Sequence, residues 1–393
     1  MLTSTERILT THVGSLPRSE ALSDLLVRRE AGEAHDADLL DAEMDAAVRR
    51  SVERQRQAGI DIGNDGEQQR VGFQTYVPQR MAGFGGISRR PRGREFEELP
   101  ELVAYLTRRF PHRSRHQNAP ACQGELRYLD IEPLEREIAR FKGLAAAPAA
   151  AAGAFAESFM TAPSPGIIAT TMLNQHYSSH EAYLAAIARE MRHEYQAIHR
   201  AGLLLQIDAP DLAMERTMLF RDLTDSAFVR QCELGVAAIN ASLEGIPRER
   251  VRLHVCHGNW EGPHIHDIAL EVILPVLYQA KVGALSIELA NPRHAHETAA
   301  LKANPLPADM LLLPGVIEST SNFVEHPQVV AGRIAAAVAV VGDRERVIAS
   351  ADCGFGTFAN REWVIEPVVW LKLKALRDGA DLASARLWGR GAP

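Results

Sequence analysis

Apolar residues recur along this 393-residue chain in two alternating rhythms. Short apolar runs with period-2 alternation predict strands at Leu9–Val13, Ile60–Ile62, Ser158–Ala162, Leu203–Asp208, Val251–Cys256, Ala284–Glu288, Met310–Pro314 and Val347–Ser350, with Glu125–Leu129 a further candidate. Between them the period lengthens to that of a helix. Asp41–Ala58 repeats Ala42, Met44, Ala47, Val48 and Val52 on one face and stops at Gly59. His180–Ala201 follows Ser179, a plausible N-cap, and ends before Gly202. Ser226–Leu243, Ile268–Gln279 and Gln328–Val341 read as helices, and a last one starts near Glu366.

Strand and helix alternate from end to end, which argues for βα units and a parallel sheet. Roughly eight strands favour closure into a barrel over an open sheet. The predicted fold is α/β, a single-domain (β/α)8 TIM barrel across residues 1–393, with an Arg/Gly-rich insertion after the second strand at residues 71–120. That insertion includes a short helix near Glu97–Arg109 and reads as a solvated excursion or as a lid. Ala145–Ala154, almost all alanine, reads as a helix or a tightly packed segment. No GxGxxG follows the first strand and no GxxxxGK[ST] occurs, so the nucleotide-binding open sheets lose ground. No repeat of domain-building length is visible.

Composition narrows the class. Lys and Arg number 43 against 50 Asp and Glu, a formal charge of −7, which argues against nucleic acid as a partner. The exception is Arg89–Arg94 with Arg108, Arg109, Arg113 and Arg115, either a solvated face or an anion-binding lid. Cys122, Cys232, Cys256 and Cys353 are far apart, with no CxxC spacing and no disulfide framework. The N-terminus lacks a signal-peptide pattern and no apolar run approaches the ~18 residues of a membrane span, so the expectation is a cytoplasmic protein with no membrane partner.

The chemistry gathers at predicted strand ends. Residues two apart on a strand share a face, so His254 and Cys256 project together, an imidazole beside a thiol. The strand at 284 ends in Glu288, and the strand at 347 ends just before Cys353. In a barrel of this class, functional groups sit at the C-terminal ends of strands. His254, Cys256, Glu288 and Cys353 therefore form a candidate zinc set gathered from three strands, with one exchangeable carboxylate. The alternative is a core cysteine beside a surface histidine.

At these residues the chain resembles a known family, the C-terminal catalytic barrel of cobalamin-independent methionine synthase, and more closely its single-barrel relatives. The resemblance spans residues 8–360. It rests on Thr10-Thr11-His12-Val13-Gly14-Ser15-Leu16-Pro17, Asp65-Gly66-Glu67 with Arg70, Gln206-Ile207-Asp208, His254-Val255-Cys256, Ser286-Ile287-Glu288 and Ala351-Asp352-Cys353-Gly354. It implies a zinc cofactor on His254, Cys256, Glu288 and Cys353, with Ser15, Glu67 and Asp208 holding the amino-acid part of homocysteine. Ionic or capping roles for Glu67 and Asp208 are the structural alternative.

The chain also departs from the family. These residues contain no counterpart of the N-terminal barrel and folate pocket of the full-length enzyme. Glu318 stands where the family has a proton-shuttling histidine, and Leu173-Asn174-Gln175 stands where an aromatic residue covers the folate. Glu318 remains a candidate catalytic acid if burial raises its pKa. His12 is a candidate catalytic group beside the site or a satisfied core histidine. Arg18 and Arg70 either bind a substrate carboxylate or sulfonate or form salt bridges.

Trp260 walls the pocket or simply packs, and His257 shapes the site or, with His264 and His266, is a loop polar group. Cys122 and Cys232 read as buried small residues, and His294 and His296 as exposed ones. The expected reaction is transfer of a methyl or alkyl group to a small thiol such as homocysteine, from a donor left open between a methyl-corrinoid and a folate. Alkylation of another thiol, as in epoxyalkane:coenzyme M transferases, is the runner-up. A non-catalytic zinc- or thiol-binding protein and a metal-free barrel related to uroporphyrinogen decarboxylase follow. Oligomeric state is not legible.

Overall fold

The computed structural model describes residues 1–110, 119–146 and 153–389. In chain order its strands are β1 (Leu9–Thr10), β2 (Ile62–Gly63), β3 (Met81–Gly85), β4 (Ala121–Tyr128), β5 (Glu157–Pro163), β6 (Leu204–Asp208), β7 (Val251–Val255), β8 (Ala284–Ile287), β9 (Leu311–Ile317) and β10 (Ile348–Ala351). Eight of them form one all-parallel sheet in the order β1-β10-β9-β8-β7-β6-β5-β2. A parallel bridge between Thr11 and Ile62 brings the two ends together. The sheet is thus a (β/α)8 TIM barrel, as the strand–helix alternation requires.

The helices are α1 (Glu20–Ala31), α2 (Ala37–Ala58), α3 (Arg94–Glu98), α4 (Pro100–Arg109), α5 (Glu132–Ala145), α6 (Pro165–Thr171), α7 (His180–Arg200), α8 (Asp225–Ser242), α9 (Leu270–Leu277), α10 (Thr298–Ala303), α11 (Pro327–Val341) and α12 (Glu366–Leu387). Their ends follow side-chain chemistry. Asp36 and Ser179 accept the Leu39 and Ala182 N–H groups as N-caps of α2 and α7. Gly59 ends α2 in the left-handed region at φ 82°.

On β7, Val251, Leu253 and Val255 turn outward into the apolar layer under the helices. Arg252 and His254 turn into the barrel. At the bottom of the lumen Ile62, Phe159, Leu204, Ala284, Leu313 and Ile348 pack together. Above them Arg252, fully buried, donates to Gln206 Oε1 (2.6 Å), Thr11 Oγ1 (2.9 Å) and the His12 carbonyl (2.5 Å), with its guanidinium over the Phe159 ring at 3.9 Å. One level higher, the register sets Asp208 beside His254 and His254 beside Ser286. Parallel register therefore assembles the site.

Two expectations change. Glu125–Leu129 belongs to no barrel strand. It lies in β4, which pairs antiparallel with β3 outside the barrel, because Cys122 and Leu126 bury against α7 and its approach. The helix near Glu97–Arg109 is two helices, α3 and α4, broken where Leu99 precedes Pro100, since a residue before proline is driven out of the α region. The alanine-rich run begins at the end of α5, and residues 147–152, like Arg113 and Arg115, lie outside the described residues. No helix among the described residues is long and apolar enough to cross a membrane.

Candidate functional site

A cavity of about 780 Å³ opens at the C-terminal mouth of the barrel. Its floor is made by Ser15, Glu67, Asp208, His254, Cys256 and Cys353. His254 projects from β7, Cys256 from the residue after it, and Cys353 from just past β10. Their ligand atoms lie within 4.8 Å of one another, all on buried residues. The two sulfurs are 3.9 Å apart.

The Cys353 thiol hydrogen-bonds Cys256 and brings the Cys256 pKa down to about 5 against the cost of burial, with His254 adding to the effect. The same bond drives Cys353 up. His254 Nδ1 lies 3.4 Å from Ser286 Oγ, and its Nε2 is buried with no hydrogen-bond partner. Two sulfurs and an orphaned imidazole nitrogen on three inward positions are a donor set that fits zinc.

Glu288 stands outside that trio. Its Oε1 accepts from the His257 N–H (3.2 Å) and its Oε2 from Asn291 Nδ2 (3.0 Å). The loop carrying it is fastened by Asp352, whose carboxylate accepts the backbone N–H groups of Leu289 (2.9 Å), Ala290 (2.8 Å) and Asn291 (2.7 Å). Asp352 adjoins Cys353, so one carboxylate fixes the spacing between the β8 and β10 ends. Asp352 projects from no predicted strand end as a ligand would, and its role depends on a loop 61–63 residues away. An acidic residue flanking a candidate ligand was the available signal.

Glu67 and Asp208 are both buried and both face the cavity. Burial raises both pKa values. Asp208 reaches about 8, with His254 opposing and Glu67 adding to the shift. Asp208 accepts from Gln206 Nε2 (2.7 Å). Glu67 Oε1 accepts from Thr161 Oγ1 (2.8 Å), while Oε2 has no partner. Glu67 adopts φ 56°, a conformation non-glycine residues seldom take, held by its N–H bond to Asp65 Oδ1 (3.0 Å). Gly14 makes room for it, since a Cβ there would lie 3.0 Å from Glu67 Oε1 and 2.6 Å from Thr161.

Four sequence-predicted residues are placed elsewhere. Arg18 spends its guanidinium on the carbonyls of Gly356 (2.5 Å) and Glu67 (2.6 Å), so it shapes the Glu67 turn and offers no cation to a ligand. Arg70 is sealed in an ion pair with Glu137 and donates to the Thr161 carbonyl. His12 sits below the floor with both nitrogens engaged: Nε2 lies 2.8 Å from Gln55 Oε1 and Nδ1 accepts the Gly14 N–H (3.2 Å). Burial holds its pKa down at about 4. Its geometry is that of a neutral structural histidine.

Glu318 is outside the cavity lining. Burial alone would raise its pKa, but hydrogen bonds from Ser321 and Thr320, with Lys372 nearby, bring it below the usual value. It is set up as a loop anchor and not as an acid. His294, expected at the surface, is buried in a network with Asp267 (3.0 Å) and Glu297 (2.9 Å) and stacks on His257 at 3.9 Å.

The roof of the cavity was not foreseen residue by residue. Phe96 from α3 and Val103 and Leu106 from α4, with Phe110 just beyond, line it. Met214, Met218, Trp260 and Phe358 complete the apolar part of the lining. Phe96 lies 5.0 Å from Trp260, centroid to centroid.

A family model described as the catalytic domain of cobalamin-independent synthase matches residues 8–90 and 143–377. A methionine synthase of Thermococcus kodakarensis is 25% identical over 388 residues, 97% of this chain and 95% of that protein. A 2-hydroxypropyl-CoM lyase of Xanthobacter autotrophicus is 25% identical over 238 residues, 54% of this chain and 57% of that protein. A solved B12-independent methionine synthase from Shewanella superposes with a TM-score of 0.70 at 20% identity, covering 98% of this chain and 99% of the other.

Proposed function

Because this chain belongs to the family of the cobalamin-independent synthase catalytic domain, we propose that it transfers a methyl or related alkyl group to the sulfur of a small amino-acid thiol, homocysteine first among them. The observation that carries the reading is the cavity floor. A trio of soft metal donors lies beside two buried carboxylates that share one cavity and have few partners of their own.

His254, Cys256 and Cys353 would hold zinc, with Glu288 as a fourth and exchangeable donor. Bound there, zinc supplies the positive charge that lets a thiol lose its proton near neutral pH. The protein does the rest by position. Glu67 and Asp208 meet the ammonium group of the substrate, and each gains as an anion from that partner what burial has cost it. Ser15, at the floor beside Gly354, offers a hydroxyl to the substrate's polar end. Fixing sulfur and electrophilic carbon in one enclosed mouth removes much of the entropic barrier to displacement.

The long alignment with a methionine synthase supports homocysteine over coenzyme M. So does the engagement of Arg18 and Arg70, which leaves, among the described residues of the lining, only the arginines of the insertion and Arg361 to meet a sulfonate.

Two measurements test this. Metal analysis of the purified protein should give one zinc per chain, and Cys256→Ser or Cys353→Ser should lower that content by about tenfold or more. Thermal-shift titration should show homocysteine, and not coenzyme M, raising the unfolding midpoint. Glu67→Gln should weaken the homocysteine effect by roughly 1.5–3 kcal/mol, the worth of a charge-assisted bond. Metal-free protein that still methylates homocysteine, or stabilisation by coenzyme M alone, would overturn the reading.

A further inference from the structure

The cavity is built from two sources. Its floor lies on residues the family shares, within 8–90 and 143–377. Its roof lies on residues 91–110, outside the matched segments. The 91–110 segment contributes apolar Phe96, Val103, Leu106 and Phe110 to the lining, and Met214, Met218, Trp260 and Phe358 continue that character, with Trp260 in ring contact with Phe96. Among the described residues, the only carboxylates lining the cavity are Glu67 and Asp208, both at the floor. The cationic side chains, Arg90, Arg92 and Arg361, belong to the upper part. Arg90 is paired with Glu215, and the Arg361 guanidinium lies about 6 Å from the rings of Phe110 and Phe358.

This roof is fastened down. The Arg94 N–H donates to the Thr217 carbonyl (3.1 Å), and Glu95 Oε1 accepts the Ile265 N–H (2.6 Å). His266 meets Glu98 at 2.6 Å, and Arg109 donates to the Trp363 carbonyl (2.9 Å). The loops after β6, β7 and β10 thus each hold the insertion in place. A wall with this many polar ties keeps its shape, and a fixed apolar wall selects its occupant by shape.

Resting on the reading of the floor as the thiol side, we infer that the upper chamber holds the alkyl donor itself, as a free small molecule with a flat apolar or aromatic body that is neutral or singly anionic. The cavity's ~780 Å³ falls in the range that encloses a drug-sized molecule and far exceeds the needs of a small amino-acid thiol. Aromatic rings and methionine sulfur among the lining residues match a flat apolar body. Arg90 is neutralised by Glu215, but Arg92 and Arg361 also line the cavity and, among the described residues, no carboxylate beyond Glu67 and Asp208 does, which disfavours a cationic donor. Phe96 and Leu106 are the specificity-determining residues.

The test is binding, read by calorimetry on the zinc-loaded full chain. The probe is 2-naphthalenesulfonate, a flat aromatic monoanion, with methanesulfonate as a probe of equal charge and no ring. The naphthyl probe should bind at least about tenfold more tightly than methanesulfonate, and Phe96→Ala or Leu106→Ala should weaken it by about tenfold. Val103→Trp, which fills the chamber, should abolish probe binding while leaving homocysteine binding unchanged. It answers the question even if the truncated variants do not fold.

Probe and homocysteine should bind together. Equal affinity for the two sulfonates, an unaltered affinity in both Phe96→Ala and Val103→Trp, or competition between probe and homocysteine overturns the inference. If homocysteine does not bind at all while the probe behaves as stated, the thiol assignment fails and the chamber stands.

Discussion

Asp211, next to Pro210 of the cavity lining, accepts from Ser164 Oγ (2.5 Å) and packs against Gly166, where even a Cβ would clash with it. Burial, opposed by that hydrogen bond and reinforced by Glu215, raises its pKa to about 7. A carboxyl raised above its unfolded value binds its proton more tightly when folded. Its stabilising contribution is therefore complete at low pH and is lost as pH rises from about 4 through 7. Asp211→Asn should flatten the fall in stability between about pH 4 and 7 by on the order of 1–3 kcal/mol, measured by urea unfolding. Equal slopes in variant and parent would refute this. At this scale much was legible. The alternation Arg252, His254, Cys256 on one face of a strand places the imidazole and thiol together without any tertiary information. What a residue does with its charge was not legible, because it depends on partners distant in the chain. Arg18 meets Gly356, Arg70 meets Glu137 and Glu318 meets Lys372.

The elements that matter most for the site are the loops past β8 and β10, joined by Asp352. Three backbone N–H groups converge on its carboxylate. Asp352→Asn keeps the size but loses the charge and half of the acceptor capacity. It should free the Glu288 loop and weaken zinc binding by about 10–100-fold, as loss of a supporting partner commonly does. Competition with a chelator measures it, and an unchanged zinc affinity would show the clamp to be irrelevant to the metal. The barrel strands were visible as short apolar runs because each is buried on both sides. Helix α1 went unpredicted although Ser19 caps it and Gly32 ends it, since Leu22 and Leu26 alone mark its buried face. The β3–β4 pair was missed because its register is set by packing on α7, not by a tight turn.

Across the whole molecule, a buried ionic network ties the insertion to the barrel wall. Arg70 and Arg80 converge on Glu137 of α5, while Arg80 (3.2 Å), Tyr76 and Tyr128 (3.0 Å) meet Glu194 of α7. Removing one charge strands the others in a buried setting, so Glu194→Gln should cost roughly 3–5 kcal/mol in urea unfolding while zinc content stays constant. A loss of zinc in parallel would mean that the network supports the floor as well. The sequence alone determined the repeating βα order, and with it the barrel and the rim to which His254, Cys256 and Cys353 must come, because strand polarity sends every strand's C-terminal end to one side. Only the tertiary structure decided which charges face the cavity and which face each other. It alone brought a roof from residues 91–110 over the floor. Burial and pairing are properties of contacts between distant segments, and periodicity along a chain carries no record of them.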